Sequence, residues 1–398
     1  MTQHDTSSAT ANRSIPPKSW TQQVRGVLIF ALLALVGGVT GYLFARFGPV
    51  TDLYFPDWPL VIVGGLLIWL LVVAIHEIGH LLGGWLVGFR FIMIAVGPLL
   101  VVRTRAGIRA KFNTNLALFG GMAGSTPTDD RDLQRRDAVM VAGGPIASLL
   151  LAALCLGLWY GLGYNTATAT SVEAGSQSVV AGMVGTILFF ICMLSFVIAF
   201  VTLVPQRSAG QISDGKHLQL LLSGRPEGER NSALRLLYGA MFVSQRPREW
   251  NEGVVQRSTK LSDQSAEHAM ACFLGYGWAL DRGNVALAGQ FLDQTVALND
   301  TLPAAARPGI FVEAAYFTAR YRGDASAARS FFDQGQSKFV PLHDRLRAEA
   351  ATLLAEGRAD EAQARATEGL TALKAAKESY MTELDEDWLR DIITQAQR

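Results

Sequence analysis

The pattern of hydrophobic and polar positions divides the chain in two. Up to about residue 222, apolar residues come in long runs. Four of these are long enough to cross a bilayer as a helix, which takes ~20 residues. They are 26–45, 60–88, one within 138–172 and one within 174–206. Beyond residue 222 the runs stop, and apolar residues return at helical spacing among Ala, Leu, Arg and Glu, which predicts soluble helices. Between the second and third runs, residues 89–117 are dense in Val and Ile, with turn signals at Gly97-Pro98 and Ala106-Gly107. That pattern predicts short strands. The expected fold is an α-helical polytopic membrane protein of about four transmembrane helices with a small membrane-associated β-hairpin, followed by an all-α cytoplasmic domain. The divisions are a polar tail at 1–24, a membrane-embedded domain at 25–222 and a helical domain at 223–398.

Charge sharpens this division. Residues 25–222 hold 12 Lys/Arg and 9 Asp/Glu, whereas the shorter stretch 223–398 holds 21 and 24. The first part is too poor in charge for a water-facing surface; the second is normal for one. With half of all residues hydrophobic and a net charge of +1, the chain is unlike a disordered polymer, a fully soluble enzyme or a basic nucleic-acid binder, so no nucleic-acid partner is expected. Three cysteines, Cys155, Cys192 and Cys272, form no disulfide framework and read as small buried apolar residues. The polar lead of 24 residues is long for a cleaved leader, so the first run is expected to remain as a signal anchor. Loop charges give a direction. The tail carries Arg13, Lys18 and Arg25, and segment 89–137 carries eight basic residues, while loops 47–59 and 162–177 carry only Asp52, Asp57 and Glu173. The positive-inside rule places both termini and segment 89–137 in the cytoplasm.

One cluster breaks the apolar pattern. The second run contains His76-Glu77-Ile78-Gly79-His80. Ionisable groups within a membrane span point to function. On a helix, His76 and His80 stand one turn apart on one face, where two imidazoles can meet one zinc ion. Glu77 sits beside them, where a carboxylate can take a proton from metal-activated water. A polar cluster packed between helices is the structural alternative. A catalytic zinc takes three protein ligands and keeps an open position. Asp214 is the expected third ligand, in a segment broken by Pro205, Gly210 and Gly215, with His217 in reserve. The competing role for Asp214 is the cap of a short helix.

With these residues the sequence resembles the site-2 protease family of intramembrane zinc metalloproteases. His76-Glu77-Ile78-Gly79-His80 matches its zinc motif. Phe119-Gly120-Gly121-Met122 looks like its Gly-Gly segment, and Gly143-Gly144-Pro145-Ile146-Ala147-Ser148 like its Gly-Pro segment. Ser213-Asp214-Gly215 resembles its Asp-Gly ligand motif, and order and spacing agree over roughly 60–220. The resemblance implies one zinc ion per chain on His76, His80 and Asp214, with Glu77 as general base and a site on the cytoplasmic side of the membrane interior. It implies substrate-binding positions at Gly120, Gly121, Ser148 and Thr202. Thr202 stands where the family usually has Asn, and the stretch from Pro205 to Asp214 is longer than usual. The implied substrate is a membrane-spanning or membrane-associated protein, and the implied setting a bacterial plasma membrane.

Two further segments bear on how a substrate is held. Arg103, Arg105, Arg109 and Lys111 recur at even offsets, which suits one wet face of a strand. A sheet edge there could pair with an unwound substrate, or a basic hairpin could rest on anionic headgroups. In the tail, Gly283, Gly323 and Gly357 each sit between apparent helices, at intervals of 40 and 34 residues. This suggests a degenerate tetratricopeptide-like array with a concave surface for a peptide or adaptor, or else an irregular bundle. Met270, Phe273, Trp278 and Phe291 read as core. A non-proteolytic scaffold stabilised by zinc is the main competing function. It leaves Glu77 without a role. A transporter is the third, disfavoured by the lack of an inverted repeat.

Overall fold

A computed structural model describes residues 58–104, 107–115, 118–162, 176–208, 211–243, 245–376 and 382–398. The first apolar run, 26–45, lies outside them. The described chain opens with helix α1 (Trp58–Leu86) and a four-stranded sheet, β1 (Arg90–Val96), β2 (Leu99–Thr104), β3 (Gly107–Phe112) and β4 (Met122–Thr126). Helices α2 (Leu133–Gly161) and α3 (Ser176–Leu203) follow. Among the described residues, three helical stretches are long and apolar enough to cross a membrane: Ile62–Leu86, Leu133–Gly161 and Val184–Leu203. Their outward faces expose Leu66, Leu67, Leu82, Trp85, Leu150, Leu154 and Phe196. So much contiguous apolar surface suits a lipid surround rather than water. Inside, Val72, Ala152, Cys155, Ile191 and Cys192 form a core shared by the three helices.

Glycine brings α1 and α2 close together. A Cβ on Gly79 would strike the Gly143 carbonyl, and one on Gly143 would strike the Gly79 carbonyl. A Cβ on Gly83 would come within 2.7 Å of the Val139 carbonyl oxygen. Small residues one turn apart on facing helices allow this approach where both neighbours and lipid are apolar.

The sheet is antiparallel throughout, in the order β3-β2-β1-β4. It is therefore larger than the expected hairpin, because the Gly-containing segment Met122–Thr126 adds β4 to the far side of β1. The even-offset reading of the basic residues is corrected. Arg103 pairs with Ile108, whereas Arg109 pairs with Val102 and Lys111 with Leu100. Paired residues share a face, so Arg103 lies opposite Arg109 and Lys111. Counting by twos fails across a turn, where register sets the face. Arg103 instead turns its Nε–H to the Phe91 carbonyl at 2.9 Å.

After α3, a two-stranded turn of β5 (Arg207–Ser208) and β6 (Gln211–Ile212) leads into α4 (Asp214–Leu222). Helices α5 (Pro226–Phe242) and α6 (Glu252–Thr259) then begin the helical part. Three helix pairs follow: α7 (Ala266–Asp281) with α8 (Val285–Ala297), α9 (Arg307–Phe317) with α10 (Ala325–Gln334), and α11 (Leu342–Ala355) with α12 (Ala359–Ala375). The chain ends in α13 (Thr382–Ala396). Gly283, Gly323 and Gly357 stand at the three turns with φ of 78°, 66° and 79°. Only glycine adopts that left-handed conformation without penalty. A large hydrophobic core runs through this part, with Phe273 and Phe291 packed partly buried against it and Trp278 within it, while Met270 packs on a smaller cluster of Ala269, Leu302 and Ile310.

Candidate metal centre

Helix α1 presents His76 and His80 toward α2 and Glu77 toward β4, all three buried. The rings of His76 and His80 lie edge to face, their centroids 4.9 Å apart. Two positions of α2 one turn apart receive them. Gly144 faces His80, and a Cβ there would fall on the imidazole. Ser148, fully buried, sets its Oγ 2.9 Å from His76 Nδ1. The matching i, i+4 spacings follow from the two helices running side by side. Ser148, expected as a substrate contact, is thus placed with its hydroxyl beside His76.

Asp214 closes the cluster from α4. Its Oδ2 lies 3.2 Å from His76 Nε2 and its Oδ1 3.5 Å from His80 Nε2. The capping role considered for Asp214 falls to its neighbour. Ser213 is the N-cap of α4, its Oγ accepting from the Lys216 N–H at 3.2 Å. The same hydroxyl donates to the Val204 carbonyl at 2.7 Å, tying the start of α4 to the end of α3. Gly215 packs on the Leu203 carbonyl so tightly that no side chain would fit. The paired strands β5 and β6 lie in the long stretch between Pro205 and Asp214. His217 is turned elsewhere, its Nδ1 3.4 Å from an Arg235 amine, and it is not among the three grouped donors.

The donor set fits a cation. His80 Nδ1 lies 3.1 Å from the Met140 carbonyl oxygen, which can only accept, so Nδ1 carries the hydrogen. In the neutral ring Nε2 then presents its lone pair to a carboxylate oxygen, and a cation between the two satisfies both, as a proton on Nε2 also would. Two imidazole nitrogens and a carboxylate, all within 4.8 Å of one another and each ring held from behind, are suited to zinc.

Glu77 lies beside this set. The backbone of Ala123 in β4 hydrogen-bonds its carboxylate. Gly121 makes the room: its φ is 108°, and a Cβ there would collide with the Glu77 carboxylate and lie 2.8 Å from Val73. Gly120 is exposed with open space around it. Thr202 turns its hydroxyl back to the Ala199 carbonyl of its own helix at 3.3 Å. The sequence pointed to Gly144 only as part of the Gly-Pro segment and not to the Met140 carbonyl or the Ala123 backbone as neighbours of the site, and backbone groups leave no mark on composition.

Apolar membrane helices enclosing a buried His-Glu-x-x-His cluster with a converging aspartate define a membrane-embedded metallopeptidase type of site. Residues 64–244 match the model of Peptidase family M50, the site-2 protease family, so this part of the chain is similar to that family. That match and the three long apolar helices support an integral membrane protein with a metallopeptidase-like domain. No curated protein and no solved structure matches the chain.

Proposed function

We propose that the protein is an intramembrane zinc endopeptidase that hydrolyses a peptide bond of a membrane-spanning or membrane-associated protein. His76, His80 and Asp214 would hold one zinc ion, and Glu77 would act as general base. The observation that carries this reading is the convergence of both Nε2 atoms on one carboxylate with Glu77 alongside. Bound zinc lowers the pKa of a water molecule toward ~7 and polarises a carbonyl.

The chain's own residues supply the rest. Ser148 and the Met140 carbonyl orient the two imidazoles. The Ala123 backbone and Gly121 fix the Glu77 carboxylate, which takes a proton from the attacking water and returns it to the leaving nitrogen. The open side of β4 offers backbone groups to an extended peptide, which a transmembrane helix becomes only after unwinding. Thr202 and Gly120 remain candidate substrate contacts. The loop charges support a cytoplasmic sheet and helical domain in a bacterial plasma membrane, with 25–222 as the catalytic domain and 223–398 as a tetratricopeptide-like domain for a peptide or adaptor.

The test uses the full chain in detergent or vesicles. Glu77→Gln is expected to keep its zinc and lose cleavage of a single-span model substrate by ~10²–10⁴-fold. Asp214→Ala is expected to lose most of its zinc. Retained cleavage in Glu77→Gln would remove Glu77 as base, and full zinc in Asp214→Ala would move the third ligand elsewhere.

A further inference from the structure

A cleft opens between the sheet and the helical domain. It has a volume of about 900 Å³, which is within the range of ligand-binding clefts. Gly124, Ser125 and Thr126 of β4 line one side. Leu234 and Tyr238 of α5 and Met270 of α7 line the other. His217, three residues past Asp214, also borders it. The cleft therefore begins one residue beyond Ala123, the residue whose backbone reaches Glu77.

Helix α5 decides what a chain lying along β4 does next. Gly239 packs directly on the Thr126 side chain, and Thr126 Oγ1 donates to the Arg235 carbonyl at 3.4 Å. The β4 edge is thus covered from Thr126 onward. An extended peptide paired to Ala123–Ser125 meets α5 and is diverted along the apolar wall toward Met270 and, farther on, Leu302.

We propose that this cleft receives the cytosolic flank of the substrate polypeptide, so that the helical domain forms one wall of the substrate-binding site, with Tyr238 and Met270 as specificity-determining residues. The inference rests on the proposed peptidase activity. It adds that the tail acts within the site rather than as a separate recruiting module. The favoured flank is extended and carries bulky apolar side chains, because the wall is built from Leu234, Tyr238, Met270 and Leu302.

Two reconstituted single-span model substrates would test this. They share one membrane segment; one carries about twelve residues of apolar-rich cytosolic flank, roughly 40 Å when extended, and the other stops at the membrane surface. Met270→Trp narrows the cleft. It is expected to lower the long-to-short ratio of kcat/KM by about tenfold or more, chiefly through KM. An unchanged ratio would overturn the proposal. A second readout does not depend on turnover or on fitting a larger side chain. In the Glu77→Gln background, Met270→Cys is expected to form a disulfide with a cysteine in the flank, while Phe339→Cys, exposed on the helical domain, is not. The native cysteines are buried and free. Crosslinking at neither position, or equally at both, would overturn the proposal. Cleavage of neither substrate by the wild type would instead remove the peptidase reading, leaving the crosslink to decide the cleft.

Discussion

A hydroxyl 2.9 Å behind the His76 imidazole is placed to set that ring's direction. It belongs to Ser148, which is fully buried, and orienting the His76 ring also orients Nε2. Ser148→Ala is expected to weaken zinc affinity by ~10–100-fold, as loss of an outer-shell partner typically does. The check is zinc retention against a graded chelator, with Thr202→Ala as the comparison that leaves the Ser148 hydroxyl in place. The His76-Glu77-x-x-His80 group was legible in the sequence because helical periodicity alone brings i and i+4 together. Ser148 was legible only as part of a glycine-rich segment, because its meeting with His76 depends on how two helices 72 positions apart are set against each other.

At the scale of elements, the site is assembled by junctions as much as by helices. Gly79 and Gly143 set the closeness of α1 and α2, and Ser213 sets where α4 starts. Because Ser213 takes the cap, Asp214 is free to face the histidines. Ser213→Ala is expected to cost about 1 kcal/mol for the lost cap. It should also lower zinc occupancy, since the tie to the Val204 carbonyl goes with it. Unfolding and metal analysis on one preparation would check both, and unaltered zinc would mean that Gly215 packing alone positions Asp214. The sheet shows the limit of reading elements from sequence. β1 to β3 carry branched residues and turn signals, so their strands were legible. β4, Met-Ala-Gly-Ser-Thr, has little strand propensity of its own and is a strand because β1 offers it hydrogen bonds.

Across the whole molecule, Arg235 joins the two halves. From α5 its Nε lies 3.1 Å from Asp137, a fully buried carboxylate of α2, and its guanidinium also reaches Met140 Sδ and His217 Nδ1. Burial, together with the positive Arg235 beside it, pushes His217 down to about 3. The ring is therefore neutral in the folded protein, while the unfolded chain takes up a proton below about 6.5. Its contribution to stability is whole above that pH and is lost as pH falls from about 6.5 toward 3. Thermal unfolding between pH 7.5 and 5 should show this loss, and His217→Gln should flatten the slope. An equal slope in both would mean that other groups carry the acid sensitivity.

By itself the sequence determined the contrast between apolar spans and a charged helical tail, the buried His-Glu-x-x-His, and the glycine turns at Gly283, Gly323 and Gly357. These rest on local properties: run length, helical period, and a backbone conformation that only glycine takes freely. Tertiary structure decided that Asp214 rather than His217 meets the histidines, that Ser148 stands behind His76, that Arg103 leaves the face of Arg109 and Lys111, and that the tail walls a cleft beginning at β4. Each of these depends on register and close approach between segments far apart in the chain. Such contacts come from the packing of whole elements, and no single segment encodes them.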